Sequence, residues 1–206
     1  MPSSRIVSTA IAILGLAFLA AYYLWTSAPQ AVAQQAAAEA TGPKLEFTIS
    51  GESNGKIIVQ LYENVAPLHA ERLVTLAQEG AYDNVVFHRV IDGFMAQSGD
   101  VANGKAGGDT SRAGTGGSQY PNLRAEFSEV PFDRGTVGMA RSSDPNSANS
   151  QFFIMFAPAP HLDGQYTVVG QVTEGLDVLD AIKRGTGGNG AVVGTPDKID
   201  TIKVIE

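Results

Sequence analysis

The sequence divides at Lys44 into an almost uncharged first part and a strongly charged remainder. The whole chain of 206 residues carries 14 basic and 21 acidic side chains, yet before Lys44 the only charged residues are Arg5 and Glu39. Residues 6–25 form a continuous stretch without any charge. The net charge of −7 therefore belongs entirely to residues 44–206, and we expect the two parts to occupy different environments.

The uncharged stretch has the length of a membrane-spanning helix. Twenty residues at a rise of 1.5 Å span about 30 Å, which is the thickness of the hydrocarbon core of a bilayer. Tyr22, Tyr23 and Trp25 cluster at its outer end, where interfacial aromatic side chains lie, and Arg5 favours an orientation with the amino terminus inside. We predict that residues 1–25 are a signal-anchor or signal-peptide segment with an N-terminal apolar helix.

Two interpretations of this leader remain open. In the first, the helix stays uncleaved and tethers the chain to the inner membrane through residues 6–25. In the second, signal peptidase cleaves at the small-x-small site Ala31-Val32-Ala33 and releases a soluble product. Both predict export, with the bacterial periplasm as the expected compartment. Residues 26–43, rich in Ala, Gln, Ser and Pro, are interpreted as a spacer before a domain over residues 44–206.

Composition and spacing exclude several classes of function. An acidic domain without a basic cluster is a poor partner for nucleic acid, because phosphate neutralisation requires Lys and Arg. The absence of Cys excludes disulfides, Cys-ligated zinc, iron–sulfur clusters and a thiol nucleophile. The histidines show no metal-ligand spacing, so we expect neither a metal nor a cofactor. Gly185-x-Gly187-x-x-Gly190 matches a dinucleotide-binding pattern, but it follows a predicted helix instead of a strand, which favours a loop.

Short apolar segments from Lys44 onward predict a mainly β domain. Asn54-Gly55 supplies a hairpin turn between the first two strands. Two helical stretches interrupt the strands: one begins at Pro67 and ends near Gly80, and the other covers residues 176–183. The predicted strands cover residues 45–50, 56–62, 85–91, 95–99, 136–140, 152–156, 167–172 and 198–205. Because closure removes exposed sheet edges, we expect a closed eight-stranded antiparallel barrel.

Several separated motifs then point to one family. They include Phe87-His88-Arg89-Val90-Ile91, Gly93-Phe94-Met95-Ala96-Gln97, Gly114-Thr115-Gly116-Gly117, Ser150-Gln151-Phe152-Phe153-Ile154 and Leu162-Asp163-Gly164. These motifs, and their order along residues 44–206, resemble those of the cyclophilin family of peptidyl-prolyl cis–trans isomerases. The resemblance implies an eight-stranded barrel capped by two helices, which agrees with the elements predicted above.

The reaction implied by this resemblance is rotation about an X–Pro bond. Amide resonance gives the rotation a barrier of about 18–20 kcal/mol, and no covalent bond needs to form or break. A catalyst must stabilise a twisted amide whose nitrogen has become more basic, which a hydrogen-bond donor can do. The resemblance assigns this role to Arg89, whose guanidinium is rigid and permanently charged. Taken alone, Arg89 would be interpreted as a surface ion-pair residue.

The resemblance also assigns a substrate-binding groove. An apolar pocket for the proline ring falls on four side chains, Phe94, Met95, Phe153 and Leu162. Without the resemblance, these side chains would be interpreted as barrel core. Gln97 is assigned to the substrate and to Arg89, and Gln151 to the groove, although either amide could instead face solvent.

The residues before proline are assigned to a further segment of the groove. Ala140, Arg141 and Ser142 match it, and since the implied contacts are largely with the main chain, Arg141 in place of the more usual Asn is expected to preserve them. Gly114 matches a groove-lining glycine whose missing side chain admits a peptide.

Two positions depart from many eukaryotic members of the family. His161 stands where those members carry a Trp that supports cyclosporin binding, so we predict weak cyclosporin binding with catalysis retained. Tyr166 stands where they have His, a difference associated with bacterial members. Both residues are assigned to the groove.

Two hypotheses of function follow. The leading one is an enzyme that isomerises X–Pro bonds in proline-containing polypeptides during the folding of exported proteins. The alternative is a peptide-binding chaperone or scaffold module that uses the same groove without relevant turnover.

Overall fold

The computed structural model describes residues 40–187 and 189–205, and these residues form one curled antiparallel sheet with two α-helices. The strands are β1 (Lys44–Ser50), β2 (Gly55–Leu61), β3 (Val85–Val86), β4 (Arg89–Ile91), β5 (Met95–Ser98), β6 (Thr136–Met139), β7 (Phe152–Met155), β8 (Val168–Glu174) and β9 (Lys198–Ile205). The helices are α1 (Pro67–Gln78) and α2 (Leu176–Ala181). The mainly β class is confirmed.

The predicted leader helix over residues 1–25 and most of the predicted spacer lie outside the described residues. Within the described ranges, the structure contains no helix that is long and apolar enough to cross a membrane. The leader therefore stays a prediction from the sequence.

The sheet differs from the expected closed eight-stranded barrel in strand number and in closure. Among the described residues it has nine strands in the order β3-β9-β1-β2-β8-β6-β7-β5-β4, so that β3 and β4 form its two edges. The extra strand arises because residues 85–91, predicted as one strand, divide in two. At the division, Phe87 N–H donates to Asp197 O, and His88 O accepts from Val192 N–H. These bonds to loops replace the continuous ladder that a single strand would make.

The first hairpin shows why these segments form strands. Leu45, Phe47 and Ile49 of β1 alternate with more exposed positions, so one face of the strand is apolar. β1 pairs with β2 on one side and with β9 on the other. The first and last strands of the domain are therefore neighbours.

The long helix α1 is capped from a distant loop. Pro67 occupies its first turn, and Ala66 at the N-cap offers no side-chain oxygen. The carboxylate of Glu126 takes that role, accepting the backbone N–H of Leu68 at 3.1 Å and of His69 at 3.2 Å. A carboxylate at this position also suits the positive end of the helix dipole.

Apolar side chains on the two faces of the sheet form two separate clusters. Adjacent residues of β7 point to opposite faces, so Phe152 packs in the larger cluster and Phe153 in the smaller one. The smaller cluster also contains Met95 and Leu162. Three of the four side chains predicted to hold a proline ring thus come from one small, locally packed part of the core.

Candidate active site

Three neighbouring strands bring the central side chains of the site together. Arg89 of β4 lies opposite Gln97 of β5, and Gln97 in turn lies opposite Phe153 of β7. Side chains directly opposite each other in antiparallel strands point to the same face of the sheet. The register of the sheet therefore places a cation, an amide and an aromatic ring side by side.

An apolar cavity of about 180 Å³ opens beside these residues. The side chains that line it are Arg89, Phe94, Met95, Gln97, Ala140, Arg141, Phe153, Leu162 and Tyr166. Met95, Phe153 and Leu162 are buried, whereas Phe94 is partly exposed. The structure thus brings all four residues of the predicted proline pocket to one cavity.

The ring of Phe153, at the cavity wall, is fixed by aromatic contacts. Phe132 stacks on it with ring centroids 5.6 Å apart, and Tyr166 meets it edge-on at 5.8 Å. Gly138 makes the first contact possible, because a Cβ at this position would lie 2.5 Å from atoms of both phenylalanine rings. The sequence analysis gave Gly138 and Phe132 no role in the site.

A chain of hydrogen bonds joins Arg89 to the far side of the groove. Nη1 of Arg89 donates to Oε1 of Gln97 at 3.2 Å, and Nε2 of Gln97 donates to Oε1 of Gln151 at 3.0 Å. Nε2 of Gln151 donates to the carbonyl of Gly116 at 2.8 Å. In both glutamines, Oε1 accepts one hydrogen bond and Nε2 donates another, so the orientation of each side-chain amide is fixed.

The guanidinium of Arg89 has two further contacts. Its Nε donates to the carbonyl of Asn189 at 2.9 Å, and its Nη1 lies 3.8 Å from Sδ of Met95 at the cavity. Burial lowers the pKa of Arg89 below its ordinary value, and an electrostatic interaction with the phenol of Tyr166 partly opposes the shift. An arginine nevertheless stays protonated in proteins, so the cavity has a fixed cation at its edge.

A second cavity of about 290 Å³ continues from the first. It is lined by Gln97, Gly114, Thr115, Gly116, Ala140, Arg141, Ser142, Ser147, Asn149 and Gln151. Gln97, Ala140 and Arg141 line both cavities, so the two form one groove. Polar side chains and backbone dominate the second cavity, in contrast to the first.

Arg141 is held in place at the junction of the two cavities. Its guanidinium donates from Nη1 to the carbonyl of Ser142 at 2.9 Å and from Nη2 to the carbonyl of Gln165 at 3.0 Å. Its Cζ lies 4.2 Å from the centre of the Tyr166 ring, which is a cation–π contact. The side chain at this position therefore has a defined structure of its own, which the sequence analysis did not foresee.

His161 is the one predicted site residue that lines neither cavity. It is exposed in the middle of a short 3-10 helix (Pro160–Leu162), and its ring stacks on Phe94 with centroids 5.7 Å apart. It therefore extends the outer wall of the predicted proline pocket instead of lining it.

A buried carboxylate that the sequence analysis left without a role supports the glycine-rich wall of the second cavity. Oδ1 of Asp100 accepts the backbone N–H of Ala102 and Asn103, and Oδ2 accepts those of Gly114 and Gly116, each within 3.1 Å. A negatively charged side chain without solvent contact is thereby satisfied by four donors. An Asp directly after a strand and before a glycine-rich passage is typical of such turns.

His88 lies beneath the same wall. A Cβ at Gly114, whose φ is +96°, would lie 3.0 Å from the His88 ring, so a glycine is required there. Neither ring nitrogen of His88 has a hydrogen-bond partner among the described residues. Burial lowers its pKa, and the negative charge of Asp100 opposes this shift.

The arrangement suits the binding of an extended peptide without covalent chemistry. The apolar cavity has room for a small ring, and the guanidinium of Arg89 lies at its edge. The polar second cavity continues the groove, so the rest of an extended peptide has a place beside the ring. Within residues 40–187 and 189–205, no three His, Asp or Glu side chains converge to hold a metal ion. These features are typical of one class of proteins, those that bind a peptide in a groove whose hydrogen-bonding groups are already held in position.

Comparison with known proteins gives the family. Residues 44–204 match the family described as cyclophilin type peptidyl-prolyl cis-trans isomerase. This chain belongs to that family, and it is a peptidyl-prolyl cis–trans isomerase by this membership and by the names of its relatives.

Similar proteins come from several organisms. A probable peptidyl-prolyl cis-trans isomerase of Brucella suis is 57% identical over 148 residues, covering 71% of this chain and 76% of that protein. A peptidyl-prolyl cis-trans isomerase of Helicobacter pylori is 41% identical over 146 residues, covering 69% and 83%.

Solved structures share the fold. The cyclophilin AquaCyp293 from Hirschia baltica matches with a TM-score of 0.63 at 25% identity, covering 78% of this chain and 73% of that one. A cyclophilin type peptidyl-prolyl cis-trans isomerase of Cryptosporidium parvum, crystallised in the presence of the dipeptide Ala-Pro, matches with a TM-score of 0.65 at 26% identity, covering 79% and 98%.

Proposed function

We propose that Arg89 catalyses X–Pro isomerisation by donating a hydrogen bond to the prolyl nitrogen while the proline ring occupies the apolar cavity. The observation that carries this proposal is the position of Arg89 Nη1, which is fixed by Gln97 at 3.2 Å on the edge of that cavity. The planar amide nitrogen is a poor acceptor, whereas the twisted one has a lone pair. A donor placed there stabilises the transition state more than the ground state.

The rest of the groove would bind the substrate. Phe94, Met95, Phe153 and Leu162 offer apolar contact to the proline ring, and the backbone of residues 140–142 is placed to contact the residues before it. The Ala-Pro dipeptide used with the Cryptosporidium relative is a ligand of this chemistry. We therefore propose proline-containing polypeptides as the substrates.

The test is a proline-peptide isomerisation assay on the full chain in mild detergent, comparing wild type with Arg89→Ala. Removing one preorganised donor from a reaction site typically costs about 10²–10³ in kcat, and we expect a loss of that order. Arg124→Ala removes an exposed arginine outside both cavities and is expected to leave the rate unchanged. If wild type and Arg89→Ala were equally slow while both bound the peptide, the groove would be a binding module without turnover.

We further propose that the chain acts on exported proteins from a membrane tether formed by residues 6–25. The support is the uncharged length of this segment, its terminal aromatic residues and Arg5 before it. Slow X–Pro isomerisation takes tens of seconds and can limit folding, so a catalyst that needs no ATP suits an exported compartment.

Cell fractionation with amino-terminal sequencing tests this tether. We expect a membrane-bound product that retains residues 6–25. A soluble product that begins near Gln34 would overturn the tether and support cleavage. Trp25 is the only Trp in the chain, so the cleaved product would also lack tryptophan fluorescence.

A further inference from the structure

We propose that Arg141 makes this groove prefer substrates with an acidic residue immediately before the proline. The inference rests on the proposed function, because it assumes that the proline ring occupies the apolar cavity. It adds a selectivity that the main-chain contacts of residues 140–142 would not supply by themselves.

The position of Arg141 is the first observation. It is one of the three residues that line both the apolar cavity and the polar one, together with Gln97 and Ala140. A peptide whose proline ring fills the first cavity must cross this junction as it continues into the second. The proposed function assigns residues 140–142 to the residues before the proline, so the residue that crosses the junction is the one immediately before it, and its side chain comes near the guanidinium.

The preorganisation of Arg141 is the second observation. Two backbone carbonyls and the Tyr166 ring hold its guanidinium before any substrate arrives. A free arginine at the surface loses side-chain entropy when it forms an ion pair, which cancels much of the gain. The Arg141 side chain is already ordered by these contacts, so pairing with a substrate carboxylate does not cost this entropy again. The two carbonyls use one N–H of Nη1 and one of Nη2, and Nε is buried, so the second N–H of each Nη remains for a carboxylate.

The charge around the groove is the third observation. Arg89 and Arg141 are the only ionised side chains lining the two cavities, and no carboxylate lines either one. Among the described residues, no carboxylate oxygen of Asp or Glu lies within 4.0 Å of a guanidinium nitrogen of Arg141. The nearest acidic residue along the chain, Asp144, uses its carboxylate to accept the N–H of Asn146. A cationic groove thus lies in a chain with a net charge of −7.

The experiment measures kcat/KM by NMR exchange for acetylated, amidated peptides that differ only in the residue before proline, Glu, Gln or Lys. The full chain in nonionic detergent is the enzyme. An ion pair with a partly exposed arginine is worth about 0.2–1 kcal/mol, so we expect Glu-Pro to exceed Gln-Pro by about 1.4- to 5-fold. Lys-Pro should fall below Gln-Pro. At 1 M salt, where the screening length is about 3 Å, the ratio should approach one.

Two variants separate the charge of Arg141 from its packing. Arg141→Gln should bring the Glu-Pro to Gln-Pro ratio close to one, whereas Arg141→Lys should keep a ratio above one. Both peptides in each ratio are measured with the same variant. A general loss of activity, such as one caused by altered packing of Tyr166, therefore lowers both values of kcat/KM equally and leaves their ratio unchanged. Arg124→Gln removes an exposed arginine outside the groove and should keep the wild-type ratio.

The outcomes distinguish this inference from the proposed function. If the wild type isomerised none of the peptides, the proposed function would fail. If it isomerised Glu-Pro and Gln-Pro equally well, only the preference would be overturned. If Arg141→Gln kept the wild-type ratio, the preference would have another origin and the assignment to Arg141 would be wrong.

Discussion

Oε1 of Gln97 lies 3.2 Å from Nη1 of Arg89 and accepts a hydrogen bond from it, while the other end of the same amide donates to Gln151. The position of the Arg89 guanidinium therefore depends on the Gln97 amide, whose orientation is in turn fixed by its hydrogen bond to Gln151 across the groove. Gln97, which need not touch the prolyl nitrogen, can in this way control the position of Arg89, the donor that we propose for it.

Gln97→Leu is predicted to lower kcat/KM by about 10- to 150-fold, because a lost hydrogen bond to a charged group corresponds to about 1.5–3 kcal/mol. Gln97→Glu is expected to lower it further, since a carboxylate pairs with Arg89 and faces the Gln151 oxygen that Gln97 now contacts at 3.0 Å. Peptide isomerisation kinetics measure both effects. Gln78→Leu, at an exposed glutamine of α1, is the matched control. Activity within twofold of wild type in both Gln97 variants would contradict the assigned role.

Asp100→Asn is predicted to reduce the free energy of unfolding by about 2–4 kcal/mol, because two of the four N–H donors lose their charged acceptor and face an NH₂ group instead. Urea denaturation measures this change, and hydrogen exchange at Gly114 and Gly116 should accelerate. Asp109→Asn changes an exposed carboxylate in the same glycine-rich passage and should cost less than about 0.5 kcal/mol. A cost equal to that of the control would show that the four bonds contribute little.

Stability is predicted to fall as the pH is lowered from 7 towards 5, in part because of His69. Burial lowers the pKa of His69 below 6.5, although Glu126, 2.7 Å from its Nδ1, partly opposes the shift. The unfolded chain therefore binds a proton at a higher pH than the folded one. The contribution of His69 to the free energy of unfolding is fully present above the pKa that His69 has in the unfolded chain. It is lost as the pH falls towards the lower pKa that His69 has in the folded chain.

Urea unfolding at a series of pH values tests this prediction. His69→Gln should flatten the decrease in unfolding free energy, by about 1.4 kcal/mol for each unit by which the His69 pKa is lowered. Burial also lowers the pKa of His88, so part of the decrease should remain in the variant. An unaltered slope in His69→Gln would refute the assignment.

Cyclosporin is predicted to inhibit this isomerase weakly, because His161 offers a small polar ring where a Trp would present a large apolar one. His161 is exposed and stacks on Phe94, so His161→Trp enlarges the apolar wall without filling the cavity. We expect the variant to bind cyclosporin at least about 10-fold more tightly, equivalent to about 1.4 kcal/mol. Inhibition titrations measure this. Sub-micromolar inhibition of the wild type, or no gain in the variant, would contradict it.

Local pattern was sufficient to predict most of the elements. Alternation in residues 45–50 and the proline at position 67 give a strand and a helix start that the structure contains almost unchanged. Residues 85–91 were predicted wrongly as one strand. No Gly, Pro, Asn or Asp interrupts this segment, and only the contacts of Phe87 and His88 with distant loops show the division.

The candidate site was predictable as a set of residues but not as a geometry. The motifs and the resemblance named most of the residues that line the cavities, because short signatures keep them adjacent in sequence, but they did not name Ser147 and Asn149. The contacts that orient them join distant positions, such as Arg89 to the carbonyl of Asn189, Asp100 to Gly116, and Arg141 to Gln165. No periodicity or spacing rule contains such pairs, since they depend on how the whole sheet curls.

The pairing of β1 with β9 sets the order in which this domain can be completed. β9 lies between β3 and β1, and Lys44 faces Ile205 across the ladder. A chain that leaves the ribosome or a translocon with its amino terminus first must hold β1 and β3 without their common neighbour until residues 198–205 emerge. Removing those last residues would expose two strand edges at once, so a truncation at the carboxyl terminus is expected to cause aggregation.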